Sequence, residues 1–490
     1  MRHSRKYSAI YVLHAFVAVG VVAAAVLIPN LRPFHDATGA VATFNSAGDI
    51  DTKGTFFTSL GTNGRSCGTC HLANQGFGLS SAGAREVFQR AGEGDPLFAA
   101  FDGANCPTVT GSRAAHSLLL DRGLIRVGIT MPAHPEFTLN VVHDPYGCAL
   151  TSDPKTGLPV VSVYRRPLPA TNLRYLTTVM FDGRETLAPL NNGQTFHDNL
   201  ILDLTDQALS ATMTHAQAAV EPTPEQLSEI VQFEMGLTTA QIRDERAGHL
   251  FVDGAKGGPT ALSTQKFYPG VNDVLGADPT GAQFNSNGFT LYSAWGKGSA
   301  RWDADFEKSE ARSAIAAGEK LFNTTPLAIT GVRGLNDNAA LGSPAVIMGT
   351  CTTCHDSPNI GNHSLPLPLD IGTSRLASDE TNPSIVAGLN ELSAPDLPVY
   401  RIGNCPDPQN SGQTLVFYTS DPGKALITGL CSDVNRGKGP VLRGLAARAP
   451  YFHNGAAANL DELVSFYNQR FQMNLTAKEK AELVAFLNAL

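Results

Sequence analysis

The sequence predicts a mainly α-helical protein of two domains interrupted by loop-rich insertions, and three observations carry that expectation. Two C-x-x-C-H pentads, Cys67-Gly-Thr-Cys70-His71 and Cys351-Thr-Thr-Cys354-His355, start 284 residues apart, too far for one domain and ample for two. Helix-start signals recur along the chain. Glycine and proline account for 47 and 30 of the 490 residues, well above the ~12 % average, a texture of short helices joined by long loops.

The helices can be taken in order. Thr223-Pro-Glu-Gln226 is a capping box with proline at the first helical position, and Leu227, Ile230, Val231 and Met235 then share one face. Residues 314–322 predict the helix that precedes the second pentad, so the second domain starts near Arg312. Asn459-Leu-Asp-Glu462 opens a helix with Leu460, Leu463, Val464, Tyr467 and Phe471 inward, and Thr476-Ala-Lys-Glu479 opens the last, with Leu483, Val484, Leu487 and Leu490 inward. Residues 253–259 and 273–288 are too rich in Gly, Asn, Asp and Pro to be anything but loops. Alternation over residues 158–164 predicts one short strand. The expected division is 1–42 as a signal peptide or N-terminal membrane anchor, 43–305 as the first domain with insertions, and 306–490 as the second.

Each pentad has the spacing of a covalent c-type haem site. Two thiols three positions apart can each add across a haem vinyl group, and the adjacent histidine then offers an imidazole to the iron. Chance predicts about 0.003 such pentads in a chain of this composition. The expected cofactor is therefore two covalently bound haem c groups, held by Cys67, Cys70, Cys351 and Cys354, with His71 and His355 as proximal iron ligands. Redox or zinc chemistry at C-x-x-C is the competing reading, and a second copy of the pentad weighs against it.

Charge and export bound the partners. The formal net charge is −8, only 16 % of residues are charged, and no long basic run lies outside the N-terminus, so nothing points to nucleic acid. Arg2, Arg5 and Lys6 precede residues 9–28, a stretch without formal charge and long enough for one bilayer crossing. It reads either as an uncleaved anchor or as a removed signal peptide, with Ala40-Val-Ala42 as a late cleavage site. Either way the body is expected in the periplasm, and membrane contact is confined to that segment. Four cysteines remain, Cys106, Cys148, Cys405 and Cys431, and export makes disulfides reasonable. Of the three possible pairings, Cys106–Cys148 and Cys405–Cys431 are favoured because each brackets one Pro/Gly-rich segment. Each would add ~3 kcal/mol.

The ordered motifs resemble the bacterial di-haem cytochrome c peroxidase family, which includes the MauG-type enzymes. The matching residues are Arg65-Ser-Cys-Gly-Thr-Cys-His71, Phe181-Asp-Gly-Arg184, Gly318-Glu-Lys-Leu-Phe322 and Arg443-Gly-Leu-Ala-Ala-Arg-Ala-Pro-Tyr-Phe-His-Asn-Gly455, within residues 54–490. The resemblance implies two cytochrome c-like domains, one haem meeting peroxide and the other feeding or storing electrons. Departures matter too. Phe181 stands where the peroxidases carry tryptophan, and Arg166 falls where the family has a calcium-ligating asparagine, which leaves a calcium site uncertain. The family's glutamine falls on Gln207, and its catalytic glutamate on Gln217, which cannot ionise. His215 lies two residues away, and imidazole can take and return a proton near neutral pH. The catalytic candidates are thus His215, Gln207 and Gln217, with a surface or structural role as the alternative for His215.

At the second haem the family's distal ligand position falls on Tyr467, which shares the helix face of Leu460, Leu463 and Phe471. Met473 lies ~240° around an ideal helix from it. Tyr467 is the expected iron ligand, with simple packing as the alternative. His453 is read as a supporting or structural residue. At the first haem His116, His134 and His143 are candidates for a displaceable ligand, or the iron is open on that side.

The leading expectation is a periplasmic oxidoreductase that reduces hydrogen peroxide with electrons from a small donor protein, a cytochrome c or a cupredoxin. One rival is MauG-like or oxygenase-type oxidation of another substrate, favoured by Tyr467 and the missing glutamate. Another is a plain di-haem electron carrier.

Overall fold

The structure is a computed structural model and describes residues 27–187, 195–276, 278–296, 306–356, 358, 367–374, 396–407 and 412–490. The expected anchor or signal over residues 9–28 lies almost wholly outside them. Among the described residues no helix is long and apolar enough to cross a membrane.

The fold mixes helix and sheet, with more strand than the mainly α expectation provides for. The capped helices form as their sequences dictate. Pro224–Gly236 starts from Thr223, whose hydroxyl accepts from Gln226 N while the Gln226 side chain accepts from Thr223 N. Its inward face is Leu227, Ile230, Val231 and Glu234, with Met235 only partly buried. Leu460–Arg470 is capped by Asn459, and Ala477–Asn488 by a Thr476–Glu479 box. The long helix Phe306–Thr324 precedes the second pentad and packs along Ala477–Asn488. A Cβ on Gly318 would overlap the carbonyl of Glu482, so glycine permits this close crossing.

The unexpected part is sheet. Strand Gly39–Asn45 pairs antiparallel with Leu237–Asp244 beneath the first pentad region. Two three-stranded antiparallel sheets arise from the insertions. One orders Thr414–Thr419, Val399–Pro406 and Thr138–His143; the other orders Ile125–Thr130, Pro159–Arg165 and Leu150–Ser152. The strand expected near 158–164 is the middle strand of the latter. In the former, Ile402 pairs with Leu139 and Arg401 with Asn140, joining segments from the two halves of the chain. Their shared core contains Ile129, Phe137, Val161, Val163, Tyr400, Ile402 and Phe417. Both disulfides, Cys106–Cys148 and Cys405–Cys431, lie in this β module and pair as favoured.

One core spans the expected division at residue 305/306. The largest core joins Leu250, Phe289, Tyr292 and Trp295, from before that boundary, to Ile315, Phe322, Val464, Phe486 and Leu490 after it. Tyr292 donates its hydroxyl to Ala489 O at 2.6 Å, and Glu319 accepts from the backbone of Leu291 and Tyr292. Residues 247–296 are thus part of the core of the second half.

Candidate functional site: two pentad cavities sharing a wall

Each pentad is a single tight turn pinned by the threonine at its third position. Ser66 N donates to Thr69 Oγ1 at 3.0 Å and His71 N to Cys67 O at 3.0 Å. The second pentad repeats both bonds, Thr350 N to Thr353 Oγ1 at 2.9 Å and His355 N to Cys351 O at 2.9 Å. All four thiols are outside the disulfides. Burial raises Cys67 and Cys351 to about 12 and Cys70 and Cys354 to about 11, so they stand as neutral thiols.

The first pentad opens on a cavity of about 1280 Å³, part of it continuous with solvent, lined by Cys67, Cys70, His71, Gln207, His215 and Glu234 among others. His71 Nδ1 faces the Phe77 carbonyl at 3.2 Å, which places the proton on Nδ1 and leaves Nε2 as a free lone pair. Burial holds its pKa down to about 4, the neutral form that a metal requires. Gln207, Ala208, Ala211, Thr212 and His215 come from one face of the Phe196–Thr214 helix and the residue just past it, so Gln207 and His215 meet His71 across one space. His215 Nδ1 lies 2.5 Å from Asp102 Oδ2, and the other Asp102 oxygen pairs with Arg65. Burial opposes the charge of Asp102, but the bonds from His215 and the Arg65 guanidinium outweigh it and hold this carboxyl below its ordinary range.

Gln217 is not part of the site. The helix ends at Thr214, Gln217 takes a left-handed backbone (φ 53°), and its exposed side chain accepts from Asn63 Nδ2 at 3.4 Å. His116 is buried against the Gly103 carbonyl (2.9 Å), and His134 and His143 sit on the β module; none of the three lines the cavity.

Sequence reasoning missed two carboxyls here. Asp102 is brought in by tertiary folding, with no local motif to announce it. Glu234 was legible, since it falls seven residues after Leu227 on the same apolar stripe. Burial raises it to about 8, and its Oε2 has no partner among the described residues.

The second pentad lines a cavity of about 1910 Å³, again partly open. His355 and both candidate distal ligands, Tyr467 and Met473, line it. His355 Nδ1 has no partner among the described residues, and burial holds this imidazole down to about 4. The helix stops at Arg470, so Met473 is not where an ideal helix would carry it; Met473 N donates to Asn468 O and the side chain folds back toward the cavity. Tyr467 lines the same cavity as Cys351, Cys354 and His355, and burial pushes its hydroxyl well above its ordinary range. His453 stacks on Phe181 with centroids 4.4 Å apart, its Nε2 3.1 Å from Ser374 Oγ, and burial lowers it to about 4.

Pro167, Leu168, Pro169, Lys438 and Val441 line both cavities and form their common wall. Three cations stand there: Lys438, and on the second-pentad side Arg166 and Arg448. Burial depresses all three, to about 8 for Lys438, about 9 for Arg448 with Arg166 adding repulsion, and about 10 for Arg166. No carboxylate among the described residues supports their charge. Such a cluster needs an anion, and the carboxylates of a haem would supply it. Paired thiols for thioether bonds, a neutral imidazole beside each pair and unneutralised cations between the cavities all fit two c-type haems.

The class defined by this geometry is a chain built around two C-x-x-C-H cofactor cavities, and the comparisons point the same way. Over about 30 % of its length the chain is similar to cytochrome-c peroxidases. It is 31 % identical to cytochrome-c peroxidase IdrP2 of Denitromonas iodatirespirans over 155 residues, 29 % of this chain and 36 % of the relative. It is 31 % identical to IdrP1 of the same organism over 157 residues, again 29 % and 36 %. With IdrP1 of Pseudomonas sp. (strain SCT) the identity is 28 % over 155 residues, with the same coverage. The chain thus spans about a third of the length of the curated relatives it matches. No family model and no solved structure matches it.

Proposed function

We propose that this chain is an exported di-haem c-type cytochrome oxidoreductase of two cytochrome c-like units that reduces hydrogen peroxide with electrons from a small cytochrome c or cupredoxin. The observation that carries this reading is the cavity of the first pentad, where a neutral His71 faces the same space as Gln207 and an anchored His215. The net reaction consumes one peroxide, two electrons and two protons and yields two waters. When bound, the haems supply the iron centres that accept peroxide and relay the electrons.

The chain's own residues supply the rest. Cys67 and Cys70, and Cys351 and Cys354, hold the two groups; His71 and His355 present imidazole nitrogen; Lys438, Arg166 and Arg448 offer charge to carboxylates. His215 Nε2 takes the proton from the near oxygen of peroxide and returns it to the far oxygen as that leaves as water. The Gln207 amide orients the peroxide. The similarity to proteins named cytochrome-c peroxidases supports the assignment.

Oxidation of a different substrate is a second reading, favoured by Tyr467 lining the second-pentad cavity with His355, since a tyrosinate ligand stabilises oxidised iron. The test is peroxide-dependent oxidation of a reduced small cytochrome c by the purified holoprotein, wild type against His215→Ala. A loss of ~10²–10⁴-fold with both haems retained is expected. An unchanged rate, or no peroxide turnover by the wild type, refutes the reading.

A further inference from the structure

We infer that Asp102, clamped by Arg65, is the positioning residue that fixes His215 as a proton acceptor in the first cavity. The inference rests on the role proposed above for His215 and adds to it a tautomer, an orientation and the residues that set them.

Three distant segments converge to build this unit. Arg65 stands two residues before the first pentad, Asp102 lies in the turn after residues 96–98, and His215 follows the Phe196–Thr214 helix. Arg65 Nε donates to Pro96 O at 2.7 Å and Nη2 to Leu97 O at 2.9 Å, so the guanidinium is fixed independently of Asp102. Its Nη1 serves both Asp102 Oδ1 and, at 3.3 Å, the carbonyl of His215. The same arginine therefore holds the ring's partner and the ring's own backbone. Asn63 Nδ2 donates to that carbonyl at 2.8 Å, and Thr62 N to Ala216 O at 3.1 Å. Gly61 packs so closely on the Ala216 carbonyl that a Cβ there would overlap it.

The chemical consequence follows from donor counting. An ionised carboxylate only accepts, so the short contact from Asp102 Oδ2 requires the proton of a neutral His215 to sit on Nδ1. Nε2 is then the unprotonated nitrogen, and His215 lines the cavity that His71 also lines. Asp102 is 2 % exposed and Arg65 3 %, so water does not compete for either. Asp102 stays ionised throughout. It stabilises the imidazolium that exists while His215 carries the peroxide proton, and takes no proton itself. No electron passes through either residue. A purely structural Arg65–Asp102 pair would have no need to commit one carboxylate oxygen to His215.

The test uses the fully loaded holoprotein and three ligands of the oxidised first haem: hydrogen peroxide, hydrogen cyanide and nitric oxide. The first two must lose a proton on binding at neutral pH, and nitric oxide has none to lose. Asp102→Asn is expected to slow association of peroxide and of hydrogen cyanide by ~10²-fold, while nitric oxide association changes by less than about twofold. Because Asp102→Asn leaves Arg65 without its counter-charge, the neutral pair Arg65→Gln/Asp102→Asn is measured beside it and should show the same selective loss. If His215→Ala slows hydrogen cyanide but Asp102→Asn does not, the positioning role is wrong and the base assignment survives. If His215→Ala slows neither acid ligand, the base assignment itself fails. Equal slowing of all three ligands in both Asp102 variants assigns Asp102 a packing role and overturns the inference.

Discussion

Replacing Glu234 by glutamine should reshape the pH dependence of stability, in a direction the structure fixes. Glu234 is 5 % exposed on the inner face of the Pro224–Gly236 helix, and burial raises its carboxyl from 4.5 to about 8. Between those two values the folded chain holds a proton that the unfolded chain has released. The stability tied to this group is therefore complete below pH 4.5 and is lost as pH rises through 8. At 1.36 kcal/mol per pH unit the full loss is roughly 5 kcal/mol, an upper figure because water entry and relaxation reduce it. Glutamine has nearly the same volume and does not titrate. Urea unfolding of the holoprotein at pH 5, 7 and 9 should show Glu234→Gln within about 1 kcal/mol of wild type at pH 5 and more stable by about 2–5 kcal/mol at pH 9. Parallel stability curves for the two proteins would mean that Glu234 ionises freely, through a partner or a water path that the buried carboxyl does not display.

Other consequences can be checked separately. Acid–acetone extraction should leave all haem with the protein, and a pyridine haemochrome assay should return two haems per chain; solvent-extractable haem or a single haem would break the pentad assignment. Tyr467→Phe should alter the spectrum of the second haem and raise its potential, while Met473→Leu changes little, and the reverse result would make Met473 the ligand. Arg165 joins the β module to the Phe181-Asp-Gly-Arg184 turn, donating to Asp421 at 2.6 and 2.9 Å and also to Asp182. Arg165→Met should cost about 3–5 kcal/mol in urea unfolding by leaving the buried Asp421 without its arginine and Asp182 with Arg184 alone. Adding Asp182→Asn and Asp421→Asn should recover much of it.

What could be read from the chain divides along a physical line. Local features were legible: the pentads carry their chemistry in five residues, and the caps at Thr223, Asn459 and Thr476 need only near neighbours. Gln207 and His215 were named from the family resemblance, and helical period sets them on one face. Beyond the strand at 158–164, the β module was not legible, because Thr138–His143 is largely exposed and finds its partner, Val399–Pro406, across more than half the chain. Its short strands carry little period-2 signal of their own, and registry with a distant strand decides them. Gln217 was misplaced for a related reason. Its place was carried over from the family's spacing of ten residues after Gln207, whereas here the helix ends at Thr214 and a left-handed residue turns the side chain outward. Residues 247–296, rich in loop signals by composition, supply Phe289, Tyr292 and Trp295 to a core shared with residues after 306, a long-range contact that composition does not announce.

The first cavity separates its carboxyls in a way that bears on its chemistry. Asp102 and Glu234 are both almost fully buried and both belong to the wall around His71. Asp102 has Arg65 and the His215 ring to hold its charge; Glu234 has neither, and stays protonated at neutral pH. One acid is thereby fixed as an acceptor and the other as a proton holder, a division set wholly by surroundings. The common wall applies the same logic with the opposite sign. Burial depresses Lys438, Arg166 and Arg448, and no carboxylate among the described residues offsets it, so an anion bound there would stabilise their charge. The three cations thus stand at or beside the wall common to the two pentad cavities, while His215 and Asp102 line the first cavity alone.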